Sequence, residues 1–247
     1  MVTESIEAPT VIPNRRILSA DRLAGAGGIV FAVTVIIQNV VRAGGPSFTA
    51  TPATVAAYFA DHRAAGLLPL GLFPLGMVAL LCFAAGIRVR ARDLQSRWWA
   101  SVGAFAAVTI AGLFAVVNTI EIVIAAQGRE LVSSPQVVRA LWTIHSGAFG
   151  LNLTAIAIAL LGLSRAAHAA ALIPRSLAVI AVPGAACLFT AAIFTVSIVN
   201  GGKWLYLGYA GFVIWGVFLV VAGIALVTGR SATSLPVTEV TERSSDL

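Results

Sequence analysis

Long apolar runs separated by short polar segments make up most of the chain. A helix needs roughly 20 mainly apolar residues to cross a bilayer, and six runs meet that length. Their approximate bounds are 23–42, 66–88, 99–126, 137–163, 173–199 and 204–228. The first run is longer than the apolar core of a signal peptide, which is about 7–15 residues, so we interpret it as an uncleaved span. The pattern predicts an all-α, polytopic membrane helix bundle with six transmembrane helices over residues 23–229.

The segments outside these runs are polar tails and one long loop. Residues 1–22 carry mixed charges and predict a cytoplasmic tail, and residues 230–247 are rich in Ser and Thr and predict a disordered cytoplasmic tail. The loop over 43–65 contains Thr51 followed by Pro52, an N-cap with proline at the first helical position. After it, apolar and aromatic side chains recur at helical spacing, which predicts a short amphipathic helix. It can serve as an interfacial connector or as a lid across the bundle mouth.

Composition agrees with a membrane protein and excludes a soluble one. Hydrophobic residues make up 59% of the chain and charged residues 11%, with a mean hydropathy of +0.95. Soluble domains carry about 25% charged residues because their surfaces face water. The net charge of +6 does not indicate nucleic acid, since the basic residues are dispersed between apolar runs rather than clustered on a face. Cys82 and Cys187 lie inside apolar runs, so we expect buried thiols rather than a disulfide framework.

The basic residues also predict orientation. Short cytoplasmic loops carry an excess of Lys and Arg, and with the N-terminus inside, the cytoplasmic segments hold eleven of the 16 basic residues and the outer segments hold five. We therefore expect both termini in the cytoplasm. Lysine occurs once, at Lys203, against fifteen arginines, and Ala and Gly are abundant. This bias indicates a GC-rich bacterial genome and hence a multi-pass protein of the bacterial cytoplasmic membrane.

One acidic residue and one histidine lie inside the spanning runs, where charge is costly and tends to face the bundle interior. Glu121 is the one acidic residue within a run, and His145 is the one histidine. Glu121 lies about 9 Å below the outer end of span three, and His145 about 12 Å below that of span four, at about 1.5 Å rise per residue. Because these spans are consecutive and antiparallel, the two side chains can meet.

Further polar residues reach the same depth. Asn118 shares a helix face with Glu121, Asn152 shares one with His145, and Gln38 and Tyr209 belong to the outer halves of spans one and six. The inner halves are almost purely apolar. This asymmetry predicts a polar pocket that opens outward, with those six residues lining it. Two other interpretations stay open: the Glu121–His145 pair pins two helices together, or Glu121 sits among the headgroups because span three is long.

Known catalytic signatures are missing from the sequence. It has no HExxH zinc motif, no GxSxG nucleophile motif, no phosphate-binding glycine loop, and no second intramembrane histidine for bis-histidine haem. We therefore predict no catalytic residue, cofactor or metal site. The favoured function is a non-enzymatic membrane protein whose pocket binds a small molecule or lipid, or which serves as an accessory subunit of another membrane protein. The alternative is a small proton-coupled transporter with Glu121 as the proton carrier.

A family resemblance rests on two segments. The loop sequence TPATVAAYFADHR and the last span, WLYLGYAGFVIWGVFLVVAGIALV, resemble uncharacterised six-span integral membrane proteins of bacteria, especially actinobacteria. The resemblance covers roughly residues 20 to 229. It implies a compact six-helix bundle and supplies no catalytic residues.

Overall fold

Helices make up most of the described chain. The computed structural model describes residues 15–229, and these contain eight α-helices and no strand. In chain order they are α1 (Arg15–Ala43), α2 (Pro52–Asp61), α3 (Arg63–Arg90), α4 (Leu94–Leu131), α5 (Pro135–Ala169), α6 (Arg175–Ile193), α7 (Thr195–Val199) and α8 (Leu205–Thr228).

Within residues 15–229, six helices are long and apolar enough to cross a membrane, and they are α1, α3, α4, α5, α6 and α8. The predicted all-α bundle of six spanning helices is therefore confirmed. Helix α1 begins at Arg15, so part of the predicted tail 1–22 is helical. The predicted tail 230–247 lies outside the described residues.

The fifth predicted span differs from the structure. A single helix was expected over 173–199, but α6 ends at Ile193 and the separate short helix α7 follows. At the break, the Thr195 hydroxyl donates a 2.6 Å hydrogen bond to the Ala192 carbonyl. A threonine hydroxyl that bonds nearby backbone competes with the regular helical pattern, and this gives the interruption a local cause.

Close helix contacts depend on glycine where α4 meets α5. A Cβ atom on Gly162 would lie 2.7 Å from the Gly103 nitrogen and 2.8 Å from the Trp99 carbonyl oxygen. Small residues let membrane helices approach closely enough for dispersion to hold them together. Helices α1 and α8 also approach through glycine, since a Cβ atom on Gly25 would lie 2.5 Å from the Gly223 carbonyl oxygen. Larger side chains add to this contact, with the Phe31 and Trp215 rings 6.5 Å apart.

The loop helix α2 forms where the sequence predicts it. The Thr51 side chain accepts a hydrogen bond from the Thr54 backbone N–H, and Pro52 is the first helical residue. Its buried residues, Val55, Ala56 and Phe59, form an apolar cluster with residues of α4 and α5 that include Ile124 and Trp142. Helix α2 thus packs across one end of the bundle, where α1 ends and α8 begins. We call this the cavity end.

One charge expected in a tail is buried instead. Asp21 is 3% exposed near the start of α1, where its carboxylate accepts two hydrogen bonds from the Arg90 guanidinium at the end of α3. The Arg90 Nε to Asp21 Oδ1 distance is 3.0 Å. Bidentate arginine–carboxylate pairs add geometric specificity as well as energy. This pair joins α1 to α3 at the end of the bundle opposite the cavity end.

Candidate functional site

Three helices bring charged and polar side chains together near the cavity end. Glu121 lies in the last third of α4 and is 4% exposed. Arg42 near the end of α1 donates to both of its carboxylate oxygens, from Nε to Oε1 at 2.9 Å and from Nη2 to Oε2 at 3.0 Å. His145 on α5 places Nε2 3.0 Å from Oε1. We call Arg42, Glu121 and His145 the charged cluster.

The predicted meeting of Glu121 and His145 is therefore present in the structure. The Glu121 side chain is enclosed by the bundle and bonded to two neighbours rather than exposed at the bundle surface. Its depth relative to the headgroups stays a prediction. A buried carboxylate is costly unless it is paired and hydrogen-bonded. The bidentate guanidinium supplies a compensating positive charge, since arginine stays protonated in proteins.

Arg42 is the member of the cluster that sequence reasoning missed. Arg42 stands at the end of the first apolar run, where a basic residue is already explained by its effect on membrane topology. One available signal was spacing, because Thr34, Gln38 and Arg42 recur every four residues and so share one face of α1. Thr34 and Gln38 are both buried, and Arg42 continues their stripe toward Glu121.

His145 is also held from its other side. The Trp142 indole stacks on the imidazole, with ring centroids 4.3 Å apart and planes within 7° of parallel. The indole N–H donates a 3.1 Å hydrogen bond to the Ser47 carbonyl in the loop before α2. Phe59 of α2 meets the same indole edge-on at 6.1 Å. The loop and α2 thereby fix the ring that orients His145.

A cavity of about 540 Å³ lies beside the charged cluster. Its walls come from α1, the following loop, α2, α4, α5 and α8. The side chains that line it are mostly aromatic and apolar, with the charged cluster on one side; they include Asn39, Val41, Arg42, Pro46, Ser47, Phe48, Tyr58, Phe59, Glu121, Trp142, His145, Phe149, Leu205 and Tyr209. Concave, largely apolar sites of this size with a few placed polar groups are typical of small-molecule pockets.

The six residues predicted to line the pocket divide into two groups. Glu121, His145 and Tyr209 line the cavity. Gln38, Asn118 and Asn152 are buried, at 2%, 3% and 2% exposure, and are not among its lining residues. Position along the spans placed all six residues at a similar membrane depth. It does not say which face of each helix lines the cavity.

Asn118 does not line the cavity, but it hydrogen-bonds Arg42, which does. Its side-chain oxygen accepts a 3.2 Å hydrogen bond from Arg42 Nη2, and its amide nitrogen donates a 2.6 Å bond to the Phe114 carbonyl one turn earlier. The amide is thus oriented by its own helix and in turn positions the guanidinium. Such outer contacts hold a binding group in place without touching a ligand.

The chemistry available at the site is hydrogen bonding and charge compensation. Among residues 15–229, no three His, Cys, Asp or Glu side chains are grouped so that they could hold a metal ion. The described part of the chain is thus a helical membrane-type bundle with a charged cluster on the wall of an aromatic cavity. Comparisons with protein-family models, curated proteins and solved structures found no match. The resemblance drawn from the sequence stays a prediction.

Proposed function

We propose that the chain is a non-enzymatic membrane protein that binds a small, membrane-soluble molecule in the cavity at the cavity end. The observation that carries the proposal is the position of the charged cluster. Arg42, Glu121 and His145 lie on the wall of a cavity of about 540 Å³ that is otherwise lined mainly by aromatic and apolar side chains. This combination of an apolar body and a few convergent polar groups is typical of ligand sites.

A purely structural role for the charged cluster does not account for the cavity beside it. A buried ion pair is weak evidence for stability, because well-packed apolar residues often hold helices together as well or better. Pinning α1, α4 and α5 to one another requires the Arg42–Glu121 and His145–Glu121 contacts. It does not require a cavity beside them.

The transporter alternative has less support from the geometry. A proton carrier must exchange protons at Glu121 during its cycle. In this structure both carboxylate oxygens accept hydrogen bonds from Arg42, and His145 shares Oε1. Each exchange would have to break contacts of a charged, bidentate pair, and such pairs are among the stronger hydrogen bonds in proteins.

For the orientation, we propose that the cavity end faces outward from a bacterial plasma membrane. Exposed arginines are concentrated at the opposite end of the bundle, and these are Arg22, Arg88, Arg92, Arg97, Arg165 and Arg175. The exposed basic residues described at the cavity end are Arg63, Arg139 and Lys203. The positive-inside rule assigns the more basic end to the cytoplasm.

The test is recovery of the bound molecule from the intact protein. We would purify the full chain in nanodiscs of its native lipids and identify, by mass spectrometry, compounds that copurify with it. Leu205→Trp places a larger side chain on the cavity wall. Leu207→Trp makes the same change two residues along α8 at a position that does not line the cavity, and serves as the matched control.

We expect a compound that is enriched with the wild type and with Leu207→Trp but lost with Leu205→Trp. Equal recovery from all three proteins would contradict the proposal. A copurifying membrane protein with no cavity-dependent compound would instead favour the accessory-subunit role. Proton flux in liposomes that Glu121→Gln abolishes would favour transport.

A further inference from the structure

A second concave surface lies on the outside of the bundle, between α4 and α5. It is a groove of about 530 Å³ with an almost wholly apolar lining. Val102 and Phe105 of α4 line it on one side, and Leu151 and Ile158 of α5 line it on the other. Phe105 is 75% exposed and Leu151 is 54% exposed. Because α4 and α5 are both long and apolar enough to cross a membrane, a groove on their outer surface faces lipid.

The groove has the length of one bilayer leaflet. Its α4 side runs from Val102 to Leu113, eleven positions later, which is about 16 Å along the helix axis. The hydrocarbon core of a bilayer is about 30 Å thick, so one leaflet contributes about 15 Å. Ala106 and Ala155 line the groove and are themselves buried, so small side chains form its floor and leave room above them. An acyl chain that lies along α4 and α5 therefore fits the groove.

Both sides of the groove lead to exposed arginines at the end of the bundle opposite the cavity end. On α5, Arg165 follows Ile158 by seven positions and so lies on the same face of the helix. On α4, Trp98 precedes Val102 by four positions and shares its face, and Arg97 is its neighbour in the chain. The side chains of Arg97, Trp98 and Arg165 are all exposed. The apolar groove thus ends beside two positive charges and an indole.

The two arginines lie at the depth of lipid phosphates. Along their own helices, Arg97 and Arg165 lie about 8 and 10 Å beyond the nearest groove residue. Helices α4 and α5 are antiparallel and touch at Gly162 and Trp99, between the groove and the arginines, so both arginines lie at the same end of the groove. The headgroup region adds about 5–8 Å to each side of the hydrocarbon core. When a lipid chain fills the groove, its phosphate is therefore within reach of both guanidinium groups.

Arg97 and Arg165 have no acidic partner among the described residues. Neither forms a salt bridge with another described residue, and one Arg97 donor, Nε, is used by a backbone carbonyl. Of the described acidic residues at this end, Asp21 is paired with Arg90 and Asp93 caps the start of α4. Guanidinium groups bind phosphate through paired hydrogen bonds. The uncompensated positive charge favours a lipid with a net negative charge over a zwitterionic one.

From the length of the groove, its apolar lining and the arginines at its end, we infer that the α4–α5 groove binds an anionic phospholipid. One acyl chain lies in the groove, and the phosphate lies at Arg97 and Arg165. The Trp98 indole lies at the level of the headgroups, where tryptophan is enriched in membrane proteins. The site is separate from the cavity at the other end of the bundle, so the inference does not depend on the proposed function.

The test measures lipid binding to the full chain by native mass spectrometry. Phosphatidylglycerol, which is anionic, and phosphatidylcholine, which is zwitterionic, would be titrated with identical acyl chains. Glycerol 3-phosphate would be added as a competitor that has the phosphate but no chain. Arg97→Gln/Arg165→Gln removes both guanidinium groups from the site. Arg63→Gln/Arg139→Gln is the matched control, because it removes two exposed arginines at the cavity end.

A second pair of variants tests the groove itself. Thr109→Trp places a larger side chain on the groove lining. Val108→Trp makes the same change at the preceding position, which is 58% exposed and does not line the groove.

We expect the wild type to bind phosphatidylglycerol at least about tenfold more tightly than phosphatidylcholine. The preference should fall to near parity in Arg97→Gln/Arg165→Gln and persist in the Arg63→Gln/Arg139→Gln control. Thr109→Trp should weaken the binding of both lipids by at least about fivefold, because it fills the space of the chain, and Val108→Trp should not. Glycerol 3-phosphate at the same concentration should not displace the lipid.

Equal binding of the two lipids to the wild type would overturn the anionic class, and this comparison stands even where a variant fails to fold. A preference that survives the loss of both arginines would overturn the phosphate assignment. Unchanged lipid binding in Thr109→Trp, or displacement by glycerol 3-phosphate, would overturn the role of the groove. A wild-type dimer that Thr109→Trp dissociates would assign the groove to a second copy of the chain instead.

Discussion

Replacing Arg42 with glutamine removes the positive charge from the charged cluster and leaves Glu121 without its bidentate partner. The change removes hydrogen bonds of 2.9 and 3.0 Å to the carboxylate and one of 3.2 Å to Asn118. Glu121 is 4% exposed, so little water contacts the carboxylate to replace them. Breaking a buried ion pair by removing one partner typically costs about 3–5 kcal/mol. We expect Arg42→Gln to lower the free energy of unfolding by about 3 kcal/mol, because the glutamine amide can still donate one bond.

A double-mutant cycle isolates the pair from other effects of each substitution. Glu121→Gln leaves Arg42 buried and uncompensated, so we expect a similar loss. The double variant has neither charge, and we expect it to be destabilised by about 2–3 kcal/mol less than the sum of the singles, as for residues that share one network. The free energies would be measured by SDS-induced unfolding in mixed micelles.

Matched controls come from the exposed charges at the same end of the bundle. Arg139 and Glu130 are exposed, so Arg139→Gln and Glu130→Gln should change stability by no more than about 0.5 kcal/mol. Additive effects of Arg42→Gln and Glu121→Gln would refute the coupling and show that the two side chains act independently. Losses no larger than those of the controls would refute the burial argument.

Four other substitutions test the packing and the local contacts. Gly162→Ala should destabilise the bundle by about 1–3 kcal/mol, because the added methyl meets α4 backbone. Gly112→Ala, which meets nothing within 4 Å, should be neutral or stabilise by up to about 1 kcal/mol. Trp142→Phe should cost about 1 kcal/mol, since it removes a 3.1 Å bond to a loop carbonyl. At the start of α4, the pKa of Asp93 is lowered because the Ser96 N–H donates to its carboxylate. Wild type should therefore lose stability, relative to Asp93→Asn, as pH falls below about 4.

The sign of the Asp93 effect follows from the direction of its pKa. The folded value lies below the unfolded one, so the stabilisation is present above the unfolded pKa and is lost as pH falls through the folded pKa. Asparagine is an equally good N-cap but does not titrate. Parallel pH profiles for the two proteins would contradict this account, and equal stability of the Gly162 and Gly112 variants would contradict the close approach of α4 and α5. An unchanged unfolding free energy for Trp142→Phe would show that its loop bond contributes nothing.

Most of the fold follows from local features of the sequence. The six apolar runs and the Thr51–Pro52 helix start depend on composition and spacing within one segment, and the structure has both. The break before α7 was not predicted, because Thr195 looks like any polar residue near the end of a span until its hydroxyl is seen to bond the helix backbone.

The candidate site was only partly predictable for a related reason. Glu121 and His145 stood out because an ionisable residue inside an apolar run is costly and needs a partner. Arg42 and Asp21 did not stand out. A charge at the end of a span has the same sequence signature whether it meets headgroups or a neighbouring helix.

The sequence by itself thus determined the apolar, membrane-type character of the chain, the number of spanning helices, and the one acidic residue and one histidine within the apolar runs. These depend on how much apolar surface each segment carries, which is a local property. The tertiary structure alone decided that Arg42 compensates Glu121 and that Gln38 and Asn152 do not line the cavity. Such contacts join residues as many as 79 positions apart, and they are set by how the helices rotate and pack against one another rather than by any one helix.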